Sequence, residues 1–172
     1  SYISQKNYFE TNTIGTLNIM QAARKNKIKK IIHTSTSEVY GTAEYVPIDE
    51  KHPLNAQSPY SASKISADQV AISFNKSFNL PVVILRPFNT FGPRQSSRAI
   101  IPSIISQVLS NSKDIKIGNL KPRRDFSFVE DIINGFFLAL NSRNKKIIGE
   151  TINLGSGYDV SISDLLKLIE KI

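Results

Sequence analysis

The stretch LPVVILRP, residues 80–87, decides the fold of this chain. Its apolar run from Val82 to Leu85 shows no alternation with polar residues, a pattern typical of a strand that is covered on both faces. Such strands belong to parallel sheets that carry helices on each side. The sequence therefore predicts a parallel sheet between two helical layers.

Helical and strand patterns alternate through the rest of the chain. A helix is predicted from Pro59 to about Phe78, with Ser58 as its N-cap and Pro59 at a position where a missing N–H costs nothing. Residues 12–24 predict an earlier helix that leads directly into a strand at residues 30–33. Later segments predict a helix (IIPSIISQVL, 100–109), a short strand (DIKIG, 114–118), a helix (VEDIINGFFLAL, 129–140), a strand (TINLG, 151–155) and a helix (SDLLKLIEKI, 163–172) capped by Ser161. The fold class is α/β with a doubly wound parallel sheet.

The composition of the 172 residues narrows the class of protein. The chain is 40% hydrophobic, enough to bury a core, and has no apolar stretch of the roughly 18 residues that a membrane helix needs. The lack of cysteine excludes disulfides, thiolate nucleophiles and cysteine-bound zinc, and it favours a cytoplasmic location. His33 and His52 alone cannot build a metal site, so no metal is expected.

The formal net charge of +8 allows two interpretations, because a basic surface attracts nucleic acid and a basic cleft attracts small phosphorylated ligands. The basic residues are scattered, and the runs KNKIKK (25–30) and RNKK (143–146) lie beside predicted element ends, where lysines commonly solvate a turn. Basic and aromatic residues are not interleaved as in many single-strand binders. Neither a nucleic-acid nor a membrane partner is expected.

The pair Tyr60 and Lys64, in SPYSASK (58–64), is the strongest chemical signal. Residues four apart at the start of a helix share one face and can act together. Tyrosine alone is a poor acid or base at neutral pH, since its pKa is near 10, but a neighbouring ammonium favours the phenolate. The pair suits proton exchange with a hydroxyl, although a tyrosine and a lysine on an exposed helix face would look the same.

A second signal is HTSTSEVYG, residues 33–41, which places hydroxyls and one carboxylate directly after a predicted strand. In open α/β sheets, ligands bind outside the carboxyl ends of the strands. Glu38, flanked by Thr36 and Ser37, is expected at the edge of a buried region, where it could accept a proton. The alternative is a surface loop with a capping Ser or Thr.

Four motifs in this order, STSEVYG, PYSASK, RPFNTFGPR and RRDFSFVED, resemble the NAD-dependent epimerase/dehydratase family, an extended branch of the short-chain dehydrogenases/reductases. The resemblance covers nearly the whole chain. It implies a Rossmann-like domain that binds NAD, here residues 1–88 without its N-terminal part. It also implies a smaller, interleaved region that binds a nucleotide diphospho-sugar, mainly residues 89–172, with segments that return to the sheet.

The resemblance also implies roles for particular residues. Tyr60 takes the proton of the sugar O4, Lys64 holds the nicotinamide ribose and lowers the tyrosine pKa, and Thr36 hydrogen-bonds O4. Further cofactor contacts fall on Tyr60 itself, Ser35 and Pro87. Asn89, Arg94 and Arg124 are assigned to the sugar nucleotide, and arginine suits a diphosphate because its planar fork can pair with two oxygens. Asn12 matches a family asparagine beside the active site, or it caps its helix.

Glu38 is the position that separates reactions within the family. The 4,6-dehydratases use a glutamate there to remove the C5 proton, whereas simple 4-epimerases usually have no carboxylate. Ser37 departs from dehydratases of thymidine-diphosphate glucose, in which an aspartate protonates the leaving hydroxyl, so the proton donor stays open. UDP-glucuronate decarboxylases share the Thr-Ser-Glu triplet. The longer motifs look most like dehydratases that begin legionaminic-type acid synthesis from a nucleotide-linked N-acetylglucosamine.

Other expectations concern the cofactor site and the assembly. The sequence has no G-x-G-x-x-G or G-x-x-G-x-x-G motif, and the GSG at residues 155–157 has the wrong spacing and predicts a turn. Because such a motif aims backbone N–H groups at the pyrophosphate, this chain by itself is expected to bind NAD weakly and to be inactive. The resemblance implies a homodimer formed through the Tyr60 helix and the helix from Asn12. A non-catalytic binding protein on the same fold is the competing class.

Overall fold

The computed structural model describes residues 4–110 and 114–171. Its α-helices are α1 (Gln5–Tyr8), α2 (Gly15–Lys25), α3 (Pro59–Phe78), α4 (Ile100–Leu109), α5 (Val129–Asn141) and α6 (Ile162–Ile169). Its strands are β1 (Ile31–Thr34), β2 (Val82–Pro87), β3 (Asn89–Phe91), β4 (Arg123–Arg124), β5 (Phe126–Phe128), β6 (Thr151–Leu154) and β7 (Val160–Ser161). A π-helical turn, Phe9–Ile14, joins α1 to α2, and 3₁₀ turns occupy Ser37–Tyr40 and Lys145–Ile147.

The main sheet is parallel, with the strand order β1-β2-β6. Strand β2 lies in the centre, where Ile31 pairs with Val82 on one side and Ile84 pairs with Thr151 on the other. Its first five residues are all buried, as the uninterrupted apolar run predicts. The carboxyl ends of the three strands consequently lie at one edge of the sheet.

The two faces of β2 belong to different cores, as expected of a strand between two layers. Val82 and Ile84 pack with Met20 of α2 and Ala71 of α3. Val83 and Leu85 pack on the opposite face with residues that include Ala139 and Phe136 of α5. Alternate side chains of β2 thus pack against helices on opposite faces of the sheet, which confirms the predicted doubly wound α/β architecture.

The contacts divide the chain into two compact units. The first unit contains the chain through Phe88 together with Ile133–Leu154, and the second contains Asn89–Ile132 and the chain from Gly155 onward. In the second unit, β3 pairs with β5 in parallel and β4 pairs with β7 antiparallel. Its core forms around Ile104 of α4 and around Ile162 and Leu165 of α6. The cofactor and substrate roles assigned to the two regions of the sequence stay predictions.

Three local expectations need correction. DIKIG forms no strand, because the Gln107 side chain binds both the N–H of Lys116 (2.7 Å) and its carbonyl (3.2 Å) in place of a neighbouring strand. The first helical region begins at Gln5 rather than Asn12. Lys30 does more than solvate a turn, since its ammonium donates to the carbonyls of Ala139, Leu140 and Ser142 and so satisfies the end of α5.

The predicted helix ends are otherwise close to those observed. Ser58 and Ser161 both accept a hydrogen bond from the backbone N–H three residues later, as N-caps do. The last helix ends at Ile169, and the predicted extension to Ile172 reaches one residue outside those described. The segment 155–157 is irregular, as predicted for a turn.

Candidate active site

The start of α3 positions two of the predicted catalytic residues. Ser58 and Ser61 form a reciprocal capping box, and Pro59 occupies the first turn. This rigid start holds Tyr60 in the first turn and Lys64 one turn later on the same face. Both side chains are half-buried.

The turn after β1 positions the carboxylate. Thr36 is the N-cap of the 3₁₀ turn, and its hydroxyl accepts the Glu38 N–H at 3.2 Å. The chain leaves this turn through Gly41, which has φ +67 and where an added Cβ would collide with the Asn55 carbonyl. Glu38 is exposed, so the expectation of a partly buried glutamate is wrong. An exposed carboxylate on a fixed turn is available to a ligand.

Tyr60 meets this turn directly. Its ring packs edge-on against Tyr8 with centroids 5.6 Å apart, and the Thr36 side chain lies near its phenol. Burial and the negative charge of Glu38 raise the pKa of Tyr60, while the nearby Thr36 side chain opposes them. Lys64 is not among the groups that shift the pKa of Tyr60 here, and its lowering of that pKa stays a prediction.

Lys64 is held by the end of β1. Its ammonium donates to the Thr34 carbonyl at 2.5 Å. Burial lowers the pKa of Lys64, and the carboxylate of Asp68 partly offsets that effect. The ammonium is therefore fixed beside the carboxyl end of a parallel strand, where ligands of such sheets bind.

A buried polar cluster lies below these residues, and the sequence analysis missed it. Asp68, one turn after Lys64, is fully buried. Its Oδ1 contacts Nε2 of His33 at 3.1 Å, while its Oδ2 accepts from Ser35 Oγ at 2.8 Å and from Nη2 of Arg86 at 3.0 Å. The spacing Tyr60, Lys64, Asp68, each four apart, was the available signal, since it places all three on one helix face.

The cluster continues toward β6. Arg86 donates from Nη1 to the Tyr40 hydroxyl at 2.9 Å, and that hydroxyl donates to Oδ1 of Asn153 at 2.7 Å. Glu50 accepts the backbone N–H of Asn153 at 2.7 Å. Hydrogen bonds thus connect all three strands of the main sheet with α3 and with the loop that follows Gly41.

The other predicted residues of the first unit have varied surroundings. Ser35 is buried, and its hydroxyl is engaged with Asp68, so its proposed cofactor contact would have to use other atoms. Ser37 and Pro87 are half-buried, Pro87 at the carboxyl end of β2. Asn12 lies within the π-helical turn and donates to Ser63 Oγ at 2.9 Å, so it joins that turn to α3 and does not cap a helix.

The residues assigned to the sugar nucleotide lie in the second unit. Asn89 is half-buried and donates to the Asp125 carbonyl at 3.2 Å. Arg94 is exposed with φ +67, and Arg124 is exposed on β4. The Asp125 carboxylate accepts the backbone N–H groups of Ser156 and Gly157, which fixes the glycine-containing turn.

The first unit brings together Thr36, Glu38, Tyr60 and Lys64 at the end of a parallel strand. A phenol near a hydroxyl can exchange a proton with an alcohol, and an exposed carboxylate near that phenol can take a proton from carbon. The Lys64 ammonium is a suitable donor for the hydroxyls of a nucleotide ribose. These residue types fit a nicotinamide cofactor and a sugar ring.

The described residues contain neither a cluster suited to a metal ion nor a helix suited to a membrane. Across residues 4–110 and 114–171, the His, Asp and Glu side chains form no group of three or more that could hold a metal ion. No helix in the same part of the chain is long and apolar enough to cross a membrane.

The parallel sheet and the Tyr60–Lys64 pair beside the Thr36 turn define a Rossmann-like protein of the short-chain dehydrogenase/reductase type. The chain belongs to the family described as GDP-mannose 4,6 dehydratase, whose model matches residues 1–172. The predicted resemblance to NAD-dependent epimerases and dehydratases is thereby confirmed.

Individual relatives carry out more than one reaction. The chain is 36% identical to the dTDP-D-glucose 4,6-dehydratase of Dictyostelium discoideum, with 94% of the chain and 39% of the relative covered. It matches the structure of UDP-glucuronic acid 4-epimerase from Bacillus cereus, solved with UDP-glucuronic acid and NAD, at 35% identity and a TM-score of 0.87, covering 94% of this chain and 51% of that one. It also matches the NAD-bound dTDP-glucose 4,6-dehydratase of Streptomyces venezuelae at 28% identity and a TM-score of 0.89, covering 99% and 52%. The chain thus spans about half the length, or less, of these proteins.

Proposed function

We propose that the protein is an NAD-dependent nucleotide-sugar 4,6-dehydratase. One observation carries the proposal: the exposed carboxylate of Glu38 lies on the turn whose Thr36 side chain lies near the Tyr60 phenol. The negative charge of Glu38 is close enough to raise the pKa of that phenol. A proton acceptor for carbon therefore accompanies the acid–base group for the sugar hydroxyl.

The first half of the reaction oxidises C4 of the sugar. Tyr60 accepts the O4 proton, and the Thr36 hydroxyl favours the phenolate and orients O4. Lys64, held by the Thr34 carbonyl, presents its ammonium to the nicotinamide ribose. When bound, NAD supplies the acceptor for the C4 hydride and later returns that hydride.

The second half removes water and uses Glu38. The C4 ketone acidifies the C5 proton, which the Glu38 carboxylate removes while the C6 hydroxyl leaves with a proton as water. Hydride return to C6 and protonation at C5 complete the 4-keto-6-deoxy product. Ser37 lies beside Glu38 on the same turn, and the donor of the proton to the leaving hydroxyl stays open.

A 4-epimerase is the second candidate, and some of the relatives support it. Besides the UDP-glucuronic acid 4-epimerase, the chain is 33% identical, with a TM-score of 0.86, to a UDP-N-acetylglucosamine 4-epimerase from Methanobrevibacter ruminantium. Epimerisation needs Tyr60, Thr36 and Lys64 but no base at C5. The role of Glu38 therefore separates the two candidates.

The deciding experiment incubates the full-length protein with NAD and nucleotide forms of N-acetylglucosamine, glucose and glucuronate. We expect a product that has lost the mass of water, formed from the N-acetylglucosamine nucleotide. Unchanged mass with inverted C4 would establish the epimerase and contradict the dehydratase. Loss of carbon dioxide from the glucuronate would identify a decarboxylase.

Two variants test the assigned roles. Tyr60→Phe removes the acid–base group and should lower kcat by about 10²–10⁴. Glu38→Gln should stop water loss but leave transient reduction of the cofactor, because C4 oxidation precedes removal of the C5 proton. Tyr158→Phe and Glu170→Gln are matched controls at exposed positions, and both should behave as wild type. Water loss by Glu38→Gln at the wild-type rate would contradict the proposal.

The substrate contacts and the dimer belong to the same proposal. Arg94, Arg124 and Asn89 would bind the nucleotide diphosphate and sugar, so Arg124→Gln should raise KM for the nucleotide sugar more than it lowers kcat.

Two exposed apolar residues support the proposed dimer. Ile14, in the π-helical turn beside α3, exposes 49% of its surface, and Ile19, in α2, exposes 60%. Exposed apolar surface of this kind favours pairing of two subunits through these helices. Light scattering of the full-length protein should give the mass of a dimer, and a monomer would contradict the pairing.

A further inference from the structure

Asp68 is the most heavily hydrogen-bonded buried charge in the described part of the first unit. Its Oδ1 takes one contact, from His33, and its Oδ2 takes three, from Ser35 and from Nε (3.3 Å) and Nη2 of Arg86. An ion pair with Arg86 alone would leave lone pairs without partners in a dry interior, where each would cost free energy. The donors from His33 and Ser35 hold both oxygens of this carboxylate in one orientation.

The partners of Asp68 come from the strand ends that form the candidate site. His33 lies on β1 and Arg86 on β2, and Ser35 follows β1 directly. The Ser35 backbone N–H also donates to the Leu85 carbonyl at 2.7 Å. The residue after Ser35 is Thr36, the N-cap of the 3₁₀ turn that carries Glu38. Asp68 thus ties the start of that turn to α3.

Lys64 binds the same segment of the chain as Asp68 does. Both residues lie on one face of α3, one turn apart. The Lys64 ammonium is bonded to the Thr34 carbonyl, one residue before Ser35. Two consecutive residues that lead into the turn are therefore bonded to α3, Thr34 by Lys64 and Ser35 by Asp68.

We propose that Asp68 is a positioning residue that fixes the Thr36–Glu38 turn against Tyr60 and Lys64. The placement follows from the contacts above, and its effect on catalysis rests on the proposed function. Reacting groups must be held within about 0.5 Å of their productive geometry. The bond from Lys64 reaches only the Thr34 carbonyl, which precedes the turn, and would not by itself meet that requirement.

The first test needs no substrate. The double variant Asp68→Leu/Arg86→Met, made in the full-length protein, replaces the buried pair by apolar side chains, so that no unpaired charge is left in the interior. Hydrogen exchange should become about tenfold faster at the Ser35 and Glu38 amides, because loss of one hydrogen bond has an effect of that order. Amides in the middle of α3 should keep wild-type protection, which shows that the fold persists.

A control separates a local effect from a general one. Arg123→Gln/Asp159→Asn removes an exposed Arg–Asp pair of the second unit and should leave exchange at residues 35–38 unchanged. If the Asp68→Leu/Arg86→Met variant keeps wild-type exchange at Ser35 and Glu38, Asp68 does not position the turn. Faster exchange throughout α3 would equally overturn the proposal, since Asp68 would then serve the fold in general.

The second test measures turnover. With the nucleotide sugar that the wild type converts, the double variant should lose about a hundredfold in kcat, the size of effect that a displacement near 1 Å produces. KM for the nucleotide sugar should change little, since the contacts proposed for it lie elsewhere.

A conservative variant provides the control. Asp68→Glu, which keeps the charge and Arg86, should recover part of the loss in kcat. An unchanged kcat, or a rise in KM alone, would overturn the positioning role. Failure of the wild type to convert any of the sugars would contradict the proposed function, while the exchange experiment would still decide the role of Asp68.

Discussion

Two Arg–Asp pairs in this molecule have the same chemistry in opposite surroundings. Arg86 and Asp68 have side-chain exposures of 4% and 0% and lie beneath the candidate site. Arg123 and Asp159, in the second unit, have exposures of 56% and 57%. The buried pair is embedded among further donors, whereas water solvates the exposed pair. A charge pair can fix its neighbours where the surrounding structure excludes water and supplies the remaining partners, and only the buried pair meets both conditions.

The pKa values of the two aspartates shift in the same direction for different reasons. Burial raises the pKa of Asp68, but hydrogen bonds from His33 and Ser35 and the charge of Arg86 outweigh burial and lower it overall. For Asp159, the hydrogen bond from Arg123 is the main cause of a lowered pKa. A lowered pKa by itself therefore does not distinguish a structural centre from a surface contact.

The largest effect on stability is expected from Arg86→Met, which leaves Asp68 charged and buried without its guanidinium. Breaking one partner of a buried pair costs about 3–5 kcal/mol of unfolding free energy. Urea unfolding of the full-length protein measures this loss. The double variant Asp68→Leu/Arg86→Met should recover part of it, because no unpaired carboxylate remains although Ser35 and Tyr40 each lose a partner. Equal instability of the single and the double variant would show that the packing of Arg86, and not charge pairing, is what matters.

Tyr40→Phe should have a smaller effect. The Tyr40 hydroxyl accepts from Arg86 and donates to Asn153, and the residue is fully buried. Removal of the hydroxyl leaves polar groups unpaired in the interior, which lowers the free energy of unfolding by about 1–3 kcal/mol. The same unfolding measurement checks this value, and Tyr158→Phe, at a residue that is 83% exposed, should leave stability unchanged. A wild-type midpoint for Tyr40→Phe would mean that water replaces the hydroxyl.

Acid should weaken the buried pair specifically. Because the pKa of folded Asp68 lies below its unfolded value of about 3.9, its contribution to stability is complete above that pH. The contribution is lost as the pH falls from there through the folded pKa. The double variant lacks this contribution, so its stability should fall less steeply over that range. Identical acid slopes in both proteins would contradict the assignment, and added salt should leave the difference in place because burial limits screening.

The sequence predicted the architecture well, because the signals were local. The apolar run of β2, the Ser58 cap and the Tyr60–Lys64 spacing depend on neighbouring residues, and each was found where expected. The Asp68 cluster depends on residues 33–35, 68 and 86, which are brought together only by strand order and helix packing. For the same reason, the exposure of Glu38 and the raised pKa of Tyr60 were not predictable: both follow from how the turn meets α3.

The smallest effect is expected from Arg123→Gln. The hydrogen bonds from Arg123 to Asp159 are formed in solvent, where water takes the place of a lost partner and ordering two long side chains offsets the attraction. The unfolding midpoint should stay within the error of the measurement, and any residual difference should disappear when salt is added. A clear loss of stability that persists in salt would show that this pair is shielded from water in the full-length protein. The difference in stability loss between Arg123→Gln and Arg86→Met would then reflect burial in the full-length protein rather than the exposure of each pair in its own unit.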